Sequence, residues 1–387
     1  MQNRKRNFAS LVLFVSFFCL GWSLHWGTQT TAPQESCLEM SSTAPGGPWS
    51  WQGSPFQMPN RCEKALAGGF PGGAFKGRTP GPHRTGQVKK LKFLEFNMLN
   101  LFERDFSLTD KNGMEGKDQK TEEQREGLAR VIRTSDPDIM TWVEVENQKA
   151  AQLFSDKYLD GKYQVYLIDG NDGRGIDVAV LVKKDLPFEV EYRTMKDLYE
   201  GDPSQGEKVY SRDLPIAVFR PLEGGKAMAP QFVLMSTHFK SQRGDDGSFS
   251  KREQQARATA EVEKNLRMEL GENVPIMLVG DYNNEVPSSP EFEAIRQVGF
   301  KDAFDLSPSP IPKDRRGTHY YFPKDGPPEF NQLDGFLISG RGPFQVVSAS
   351  ILPHLDSSGR PLPAPRSYKE RETRPSDHLA IEVVMEF

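Results

Sequence analysis

Cysteine is scarce, with three in 387 residues. That excludes a disulfide-dense scaffold, and the absence of any cysteine cluster excludes a thiolate metal centre. Cys19 lies in an N-terminal apolar run, which leaves Cys37 and Cys62, and spacing alone does not decide whether those two pair. Positive charge is not in excess either, the formal net charge being −4. A body of that sign does not hold nucleic acid by bulk attraction, so any grip on a polyanion needs a local basic patch. No repeat of solenoid length occurs, which excludes stacked-repeat architectures.

Apolar residues make up 36% of the chain and charged residues 26%, values of an ordinary soluble body. The exception is the start. Arg4-Lys5-Arg6 followed by an apolar run over 8–24 reads as a secretory signal spanning 1–26, with an uncleaved anchor helix as the alternative. The expected location is therefore secreted, periplasmic or cell-envelope, with membrane contact only through this segment. Losing Arg4, Lys5 and Arg6 takes the formal charge from −4 to −7. Residues 27–87 are rich in Pro, Gly, Ser and Thr, as in Gly68-Gly-Phe-Pro-Gly-Gly73, and read as a linker.

From residue 88 to 387 the texture is that of one folded domain. Short apolar runs at 91–96, 178–182, 216–219, 232–235, 276–279, 336–338 and 380–385 suit buried strands. Helical spacing falls at 121–133, opened by a Thr-x-x-Gln capping box, and at 251–270. Without a βαβ rhythm, this argues for mixed or antiparallel sheets flanked by helices, a layered α/β sandwich.

The chemistry-bearing residues share one placement, beside the end of an apolar run. Asn97 follows Leu94-Glu-Phe96, Glu144 ends Ile139-Met-Thr-Trp-Val143, and His238 follows Phe232-Val-Leu-Met-Ser-Thr237. Asp281 and Asn283 stand in Met277-Leu-Val-Gly-Asp-Tyr-Asn-Asn284, Asp334 precedes Gly335-Phe-Leu-Ile338, and Asp377 and His378 precede the last run. Any one of these alone reads more readily as a strand-end salt bridge, a hydrogen-bonded half-buried histidine or an Asx turn. Together, carboxylates and amides without thiols form an oxygen-rich set suited to a hard cation such as Mg²⁺ and poorly suited to zinc or copper. Two histidines with acidic neighbours suit general acid/base work. Arg174, Lys240, Arg243 and Lys251 are candidates for the basic patch, with plain surface charge as the alternative. Thr318-His-Tyr-Tyr321 reads as packing aromatics, with a substrate wall at His319 as the alternative. Gly244-Asp-Asp-Gly247 reads as a solvated loop.

Phe96-Asn97, Trp142-Val-Glu144, Thr237-His238, Gly280-Asp-Tyr-Asn283, Leu333-Asp334 and Ser376-Asp-His378 occur in the order of one family's signatures. The chain resembles the endonuclease/exonuclease/phosphatase superfamily, metal-dependent phosphoesterases typified by pancreatic deoxyribonuclease, over roughly 90–387. Glu144-Val-Glu-Asn147, Gly173-Arg-Gly-Ile-Asp-Val-Ala179 and His238-Phe-Lys-Ser241 look most like its secreted bacterial nucleases. Trp142-Val143 departs from the Leu-Gln that precedes the glutamate in many members. The resemblance implies a four-layered α/β sandwich of two packed sheets flanked by helices. It implies metal ligation by Glu144 with Asn97 and Asp377, and Mg²⁺ as the ion, with Mn²⁺ or Ca²⁺ as alternatives. His378 would be oriented by Asp334 and His238 by Asp177, while Asp281 aligns water and Asn283 and Arg212 bind phosphate. Arg174, Lys240 and Arg243 would contact substrate. The expected substrate is DNA or RNA, with a phospholipid of the sphingomyelin kind or a small phosphoester as the alternative and a non-catalytic binding module as a third reading. No organic cofactor or stable protein partner is expected.

Overall fold

The computed structural model describes residues 54–58, 74–78, 88–106, 120–242, 247–286, 288–340 and 342–387. The signal-like segment 1–26, Cys37, Cys62, Arg243 and the loop 244–246 lie outside the described residues.

Among the described residues, two sheets are built from thirteen strands and one two-residue addition. In chain order they are β1 (Ala74–Arg78), β2 (Lys90–Leu101), β3 (Ile139–Val145), β4 (Tyr163–Tyr166), β5 (Asp177–Lys183), β6 (Phe188–Arg193) and β7 (Ile216–Glu223). There follow β8 (Phe232–His238), β9 (Ile276–Asp281), β10 (Lys301–Asp302), β11 (Asp334–Ser339), β12 (Gln345–Leu352) and β13 (Ala380–Glu386). One sheet runs β12-β13-β2-β3-β5-β4, and the other runs β10-β11-β9-β8-β7-β6-β1, with the short strand Lys226–Ala227 added on β7. Each sheet has one parallel pair near its middle, β2 with β3 and β8 with β9, and its other pairings are antiparallel.

Period-two alternation sorts the side chains onto two faces. Leu91, Phe93, Leu234, Met277, Val279, Phe336 and Ile381 fill the space between the sheets. Leu94, Phe96 and Met140 turn outward to meet helices α1 (Glu122–Ser135) and α2 (Gln148–Tyr158). On the far side Val233, Met235, Ile276 and Leu278 meet α3 (Gly247–Leu270). Three apolar interfaces therefore separate four layers, as expected. Burying one ring such as Phe93 or Phe232 contributes roughly 1.5–3 kcal/mol.

The capping box forms as read: Thr121 Oγ1 accepts from Gln124 N at 3.2 Å, and the Gln124 side chain accepts from Thr121 N at 2.9 Å. The stretch read as a linker is not all linker. Phe56–Gln57 pairs with Tyr199–Glu200, and Ala74–Arg78 extends the larger sheet along β6. Phe56 is buried in the α3 layer beneath Arg257. These short strands hide among glycines and prolines that carry no alternating pattern, which is why composition masks them. Among the described residues, no helix is long and apolar enough to cross a membrane.

Candidate active site

Strand direction gathers the polar residues at one edge of the sandwich. Asn97, Glu144, His238 and Asp281 lie at or near the carboxyl ends of the two parallel pairs. Asp177 and Asp334 begin strands antiparallel to those pairs, and His378 lies just before β13, antiparallel to β2. A residue late in a parallel strand and one early in its antiparallel neighbour occupy the same edge. The alternation that fills the inter-sheet core continues into the site, since Asn97, His238, Asp281 and Asp334 share their faces with Phe93, Leu234, Val279 and Phe336.

His238, Asp281 and Asp334 stand opposite one another across β8, β9 and β11. Gly280 makes the close approach possible. Its φ is 141°, and a Cβ there would come within 1.9 Å of Thr237 O. Asn97 Nδ2 donates to Asp281 Oδ2 at 3.2 Å, joining the two sheets. His238 Nε2 lies 3.6 Å from Asp281 Oδ2 and 3.8 Å from Glu144 Oε1. His378 Nδ1 and Asp334 Oδ2 are 2.7 Å apart. Ser376 Oγ donates to Asn97 O and accepts from His378 N, pinning the last motif to β2.

The backbone is bent where function is concentrated. Leu99, Asn100, Glu144 and Asn283 have φ between 49° and 62°, uncommon for residues with a Cβ. β2 and β3 both slip register here, and Glu144 is the extra residue of β3, between Val143 and Val145, opposite β5. The bulge turns the Glu144 carboxylate off the outward helix face and toward the site. Asn283 is fixed by its own N–H to Asp281 Oδ1 at 2.7 Å and by Nδ2 to Phe239 O at 3.0 Å.

Burial and charge set the two histidines apart. Burial, reinforced by Arg212 and by His378, holds His238 well below the usual imidazole range. Burial would lower His378 as well, but the charge and hydrogen bond of Asp334 outweigh it, leaving His378 well above that range and cationic. Glu144 is raised by burial and by the charge of Asp377, offset by His378, Arg212 and Arg174. Burial and then Asp334 push Asp281 up. Asp377 is pulled below the usual carboxylate range, burial being overcome by His319, His378 and Arg371.

Arg212 is buried against Asp172, Nε to Oδ2 3.0 Å, and its Nη1 donates to Phe239 O. Arg174 shares the same Asp172 carboxylate and is otherwise exposed. Lys240 is half-buried and fixed through its N–H to Gln255 Oε1. Arg212 and Arg174 thus face the Glu144 side of the site, and Arg243 lies outside the described residues.

Asp177 corrects the sequence reading. Its Oδ1 accepts from Gly170 N at 2.8 Å, and among the described residues buried His238 Nδ1 has no hydrogen-bond partner. The bond from Gly170 N braces the 170 loop, and desolvation lifts the Asp177 carboxyl to about 7. The second correction is His319. Read first as packing, it lies with Nε2 3.6 Å from Asp377 Oδ2 and its ring 4.6 Å from that of His378. Two residues escaped the reading altogether. Glu95 lies between the sheets, one pleat below Asn97, with both carboxyl oxygens lacking a hydrogen-bond partner, and burial followed by the Asp334 charge raises it strongly. Its signal was there to see: a charge at the inward position of the series Leu91, Phe93, Glu95, Asn97. Arg371 Nη1, 3.5 Å from Asp377 Oδ2, had no such signal.

The groups His319, Asp377, His378 and Asp281, Asp334, His378 each bring ligand atoms within reach of one ion. Asp377 Oδ1 is buried, lacks a hydrogen-bond partner among the described residues and belongs to a carboxylate kept ionised. An orphaned anionic oxygen beside Glu144 fits a hard divalent cation.

The fold and this constellation define a phosphoester hydrolase. The model of the endonuclease/exonuclease/phosphatase family matches residues 96–339, and the chain belongs to that family. TDP2 from D. rerio, complexed with a single-strand DNA product, aligns with TM-score 0.50 and 15% identity over 77% of this chain and 99% of that one. A functionally unknown conserved protein from Enterococcus faecalis V583 aligns with TM-score 0.50 and 17% identity over 77% and 100%. TDP2 from C. elegans aligns with TM-score 0.49 and 20% identity over 77% and 75%. At these identities the likeness is one of fold alone. None of the curated proteins matches the chain.

Proposed function

We propose that this chain is an exported, divalent-metal-dependent phosphodiesterase that hydrolyses DNA or RNA by in-line attack of water. The observation that carries phosphodiester hydrolysis is the pair of buried histidines that flank Asp281, His378 held by Asp334 and His238 without such a partner, which tunes them in opposite directions. Environments that push paired groups apart mark acid and base roles. His378, cationic against Asp334, stabilises the added negative charge of the phosphorane and holds a proton at Nε2 for an oxygen of the reacting phosphate. His238, neutral, receives a proton or a hydrogen bond from the opposite side. Asp281 aligns the water, and the second N–H of Asn283 Nδ2 donates to a nonbridging oxygen. Arg212 and Arg174 offset the phosphate charge. Glu144 and Asp377, with the amide oxygen of Asn97, would hold Mg²⁺, and the bound ion supplies Lewis acidity to the phosphate oxygens.

Arg174, whose charge is felt at both Glu144 and His238, supports a polyanionic substrate. One observation favours the alternative of a lipid headgroup or small phosphoester: Arg212 and Arg174 already share Asp172, which trims the local positive field. Plasmid DNA, RNA, sphingomyelin vesicles and p-nitrophenyl phosphate, each assayed with Mg²⁺ and with EDTA, separate the readings. Cleavage of DNA or RNA that EDTA abolishes is expected. Hydrolysis confined to sphingomyelin or p-nitrophenyl phosphate overturns the polynucleotide assignment, and full activity in EDTA overturns the metal.

A further inference from the structure

Helix α3 buries Ala256, Val262 and Leu266 in the apolar layer outside the larger sheet. It buries Arg252 and Gln255 too, at 4% and 1% exposure, and their spacing of three puts them on one side of the helix. Buried polar side chains need partners, and these two find theirs in the loops at the catalytic edge. Gln255 Oε1 accepts from Lys240 N at 2.9 Å, and Gln255 Nε2 donates to Ser211 Oγ at 3.3 Å. Arg252 Nη1 donates to Lys240 O at 3.2 Å, and its Nε donates to Glu291 Oε1 at 3.0 Å. Asn284 Nδ2 donates to that same Glu291 oxygen at 2.6 Å. Glu291 is itself buried.

Three segments are thereby tied to one helix face: Ser211-Arg212, Phe239-Lys240 and Asn283-Asn284. On the side of the site the same three meet again, at Phe239. Its carbonyl accepts from Arg212 Nη1 at 3.2 Å and from Asn283 Nδ2 at 3.0 Å, and its N–H donates to Asp281 O at 2.9 Å. Phe239 O and Lys240 N–H belong to one planar peptide unit. A bond that fixes the N–H therefore fixes the direction of the oxygen. Gln255 holds that N–H, and Arg252 holds the next carbonyl. Rotation of this one peptide would release Arg212 and Asn283 together.

We infer that Gln255 and Arg252 are positioning residues: by holding the Phe239–Lys240 peptide they set where Arg212 and Asn283 present their donors to the phosphate. This rests on the assignment of Arg212 and Asn283 to phosphate binding above, and it holds whether the phosphate belongs to a polynucleotide or to a smaller ester.

Removing Arg252 outright would leave the Glu291 carboxylate buried without its counter-charge. The test therefore uses Gln255→Met, which keeps the length but offers only a weak acceptor, and Arg252→Lys, which keeps the charge but not the forked donors. Kinetics are measured on whichever of plasmid DNA, RNA, sphingomyelin or p-nitrophenyl phosphate the wild type hydrolyses, with melting temperatures recorded with and without Mg²⁺. Each variant should raise KM about tenfold and lower kcat by less, as expected when binding common to ground and transition states is lost. The Mg²⁺-induced rise in melting temperature should match the wild type, because Glu144 and Asp377 belong to the other sheet. Leu266→Ala, further along α3 in its apolar layer, should lower the melting temperature without raising KM. A wild-type KM in folded Gln255→Met, or a KM that rises as far in Leu266→Ala, overturns the inference. Arg212→Lys, which keeps a counter-charge for Asp172 but not the forked donors, separates the two levels of the argument. If it raises KM and Gln255→Met does not, only the positioning role falls. If it leaves KM at the wild-type value, the phosphate-binding assignment falls and the positioning role with it. Hydrolysis of none of the four substrates by the wild type removes both together with the proposed function.

Discussion

His378 and Asp334, 44 residues apart in sequence, meet Nδ1 to Oδ2 at 2.7 Å, whereas His238 has no such carboxylate on its Nδ1. The two histidines are therefore not interchangeable. Asp334→Asn removes the charge that keeps His378 cationic and should lower kcat about 10²–10⁴-fold, the range of a general acid/base contribution. Asp177→Asn, at a residue with no hydrogen bond to His238 Nδ1, should lower kcat by less than about tenfold and act mainly on stability through Gly170 N. Steady-state kinetics on both purified variants decide the matter. Comparable losses of kcat would restore Asp177 as the His238 partner.

Glu144 combines a site carboxylate with a φ of 62°. Removing the carboxylate should abolish both turnover and the rise in melting temperature that Mg²⁺ confers on the wild type. The backbone makes a separate prediction. Glu144→Gly should be more stable than Glu144→Ala by roughly 1 kcal/mol, because glycine adopts this φ without strain. Thermal melts with and without Mg²⁺ read both effects. A Mg²⁺ shift that survives in Glu144→Ala removes this residue from the ligand set.

The strand ends were legible because each carried a polar residue directly after or directly before an apolar run, and the site lies where strand direction brings those ends to one edge. Met277 to Asn284 shows this best: apolar strand, glycine, then Asp281 and Asn283 in the site. The capping box at Thr121 was equally plain, since its signal is local. Asp177 was misassigned because sequence supplies a strand-start aspartate but not its direction. The 170 loop, folded back on β5, takes that carboxylate. His319 was undervalued because adjacent aromatics resemble core, and only the docking on Asp377 of the hairpin His319–Tyr321 with Glu329–Asn331 brings it to His378. The parallel pairing of β8 with β9 was not legible at all. It depends on α3 crossing back over the sheet, a long-range choice with no local mark.

Helix α1 buttresses the final motif. Gln124 Nε2 donates to Glu372 O at 3.1 Å and to Arg374 O at 3.0 Å, and Lys120 Nζ donates to Pro375 O at 2.7 Å. These bonds fix the segment that delivers Asp377 and His378. Thr121→Ala weakens the cap and should cost about 1 kcal/mol of stability with kcat unchanged. Gln124→Ala also frees residues 372–375 and should lower kcat, by up to about 10²-fold if His378 shifts by an ångström. Denaturant melts and kcat for both variants form the test. Equal effects on kcat would reduce Gln124 to a cap.

His354 predicts an acid limit to stability. It is buried, and its Nε2 lies 3.0 Å from His378 O, the geometry of a donor in the neutral ring. Burial first, then Arg374 and Lys120, lower its pKa from 6.5 to about 4, against the hydrogen bond to His378 O. The unfolded chain therefore binds a proton that the folded chain refuses between these two values. Stability from this group is complete above pH 6.5, falls as pH drops through the window, and is lost below about 4, a change on the order of 3 kcal/mol. Gln at this position keeps a donor for His378 O and does not titrate. Between pH 7 and pH 4.5 the wild type should lose more unfolding free energy than His354→Gln, as measured by urea melts at each pH. Parallel losses in the two proteins would mean that other carboxyl or imidazole groups set the acid limit and that His354 is already protonated in the fold.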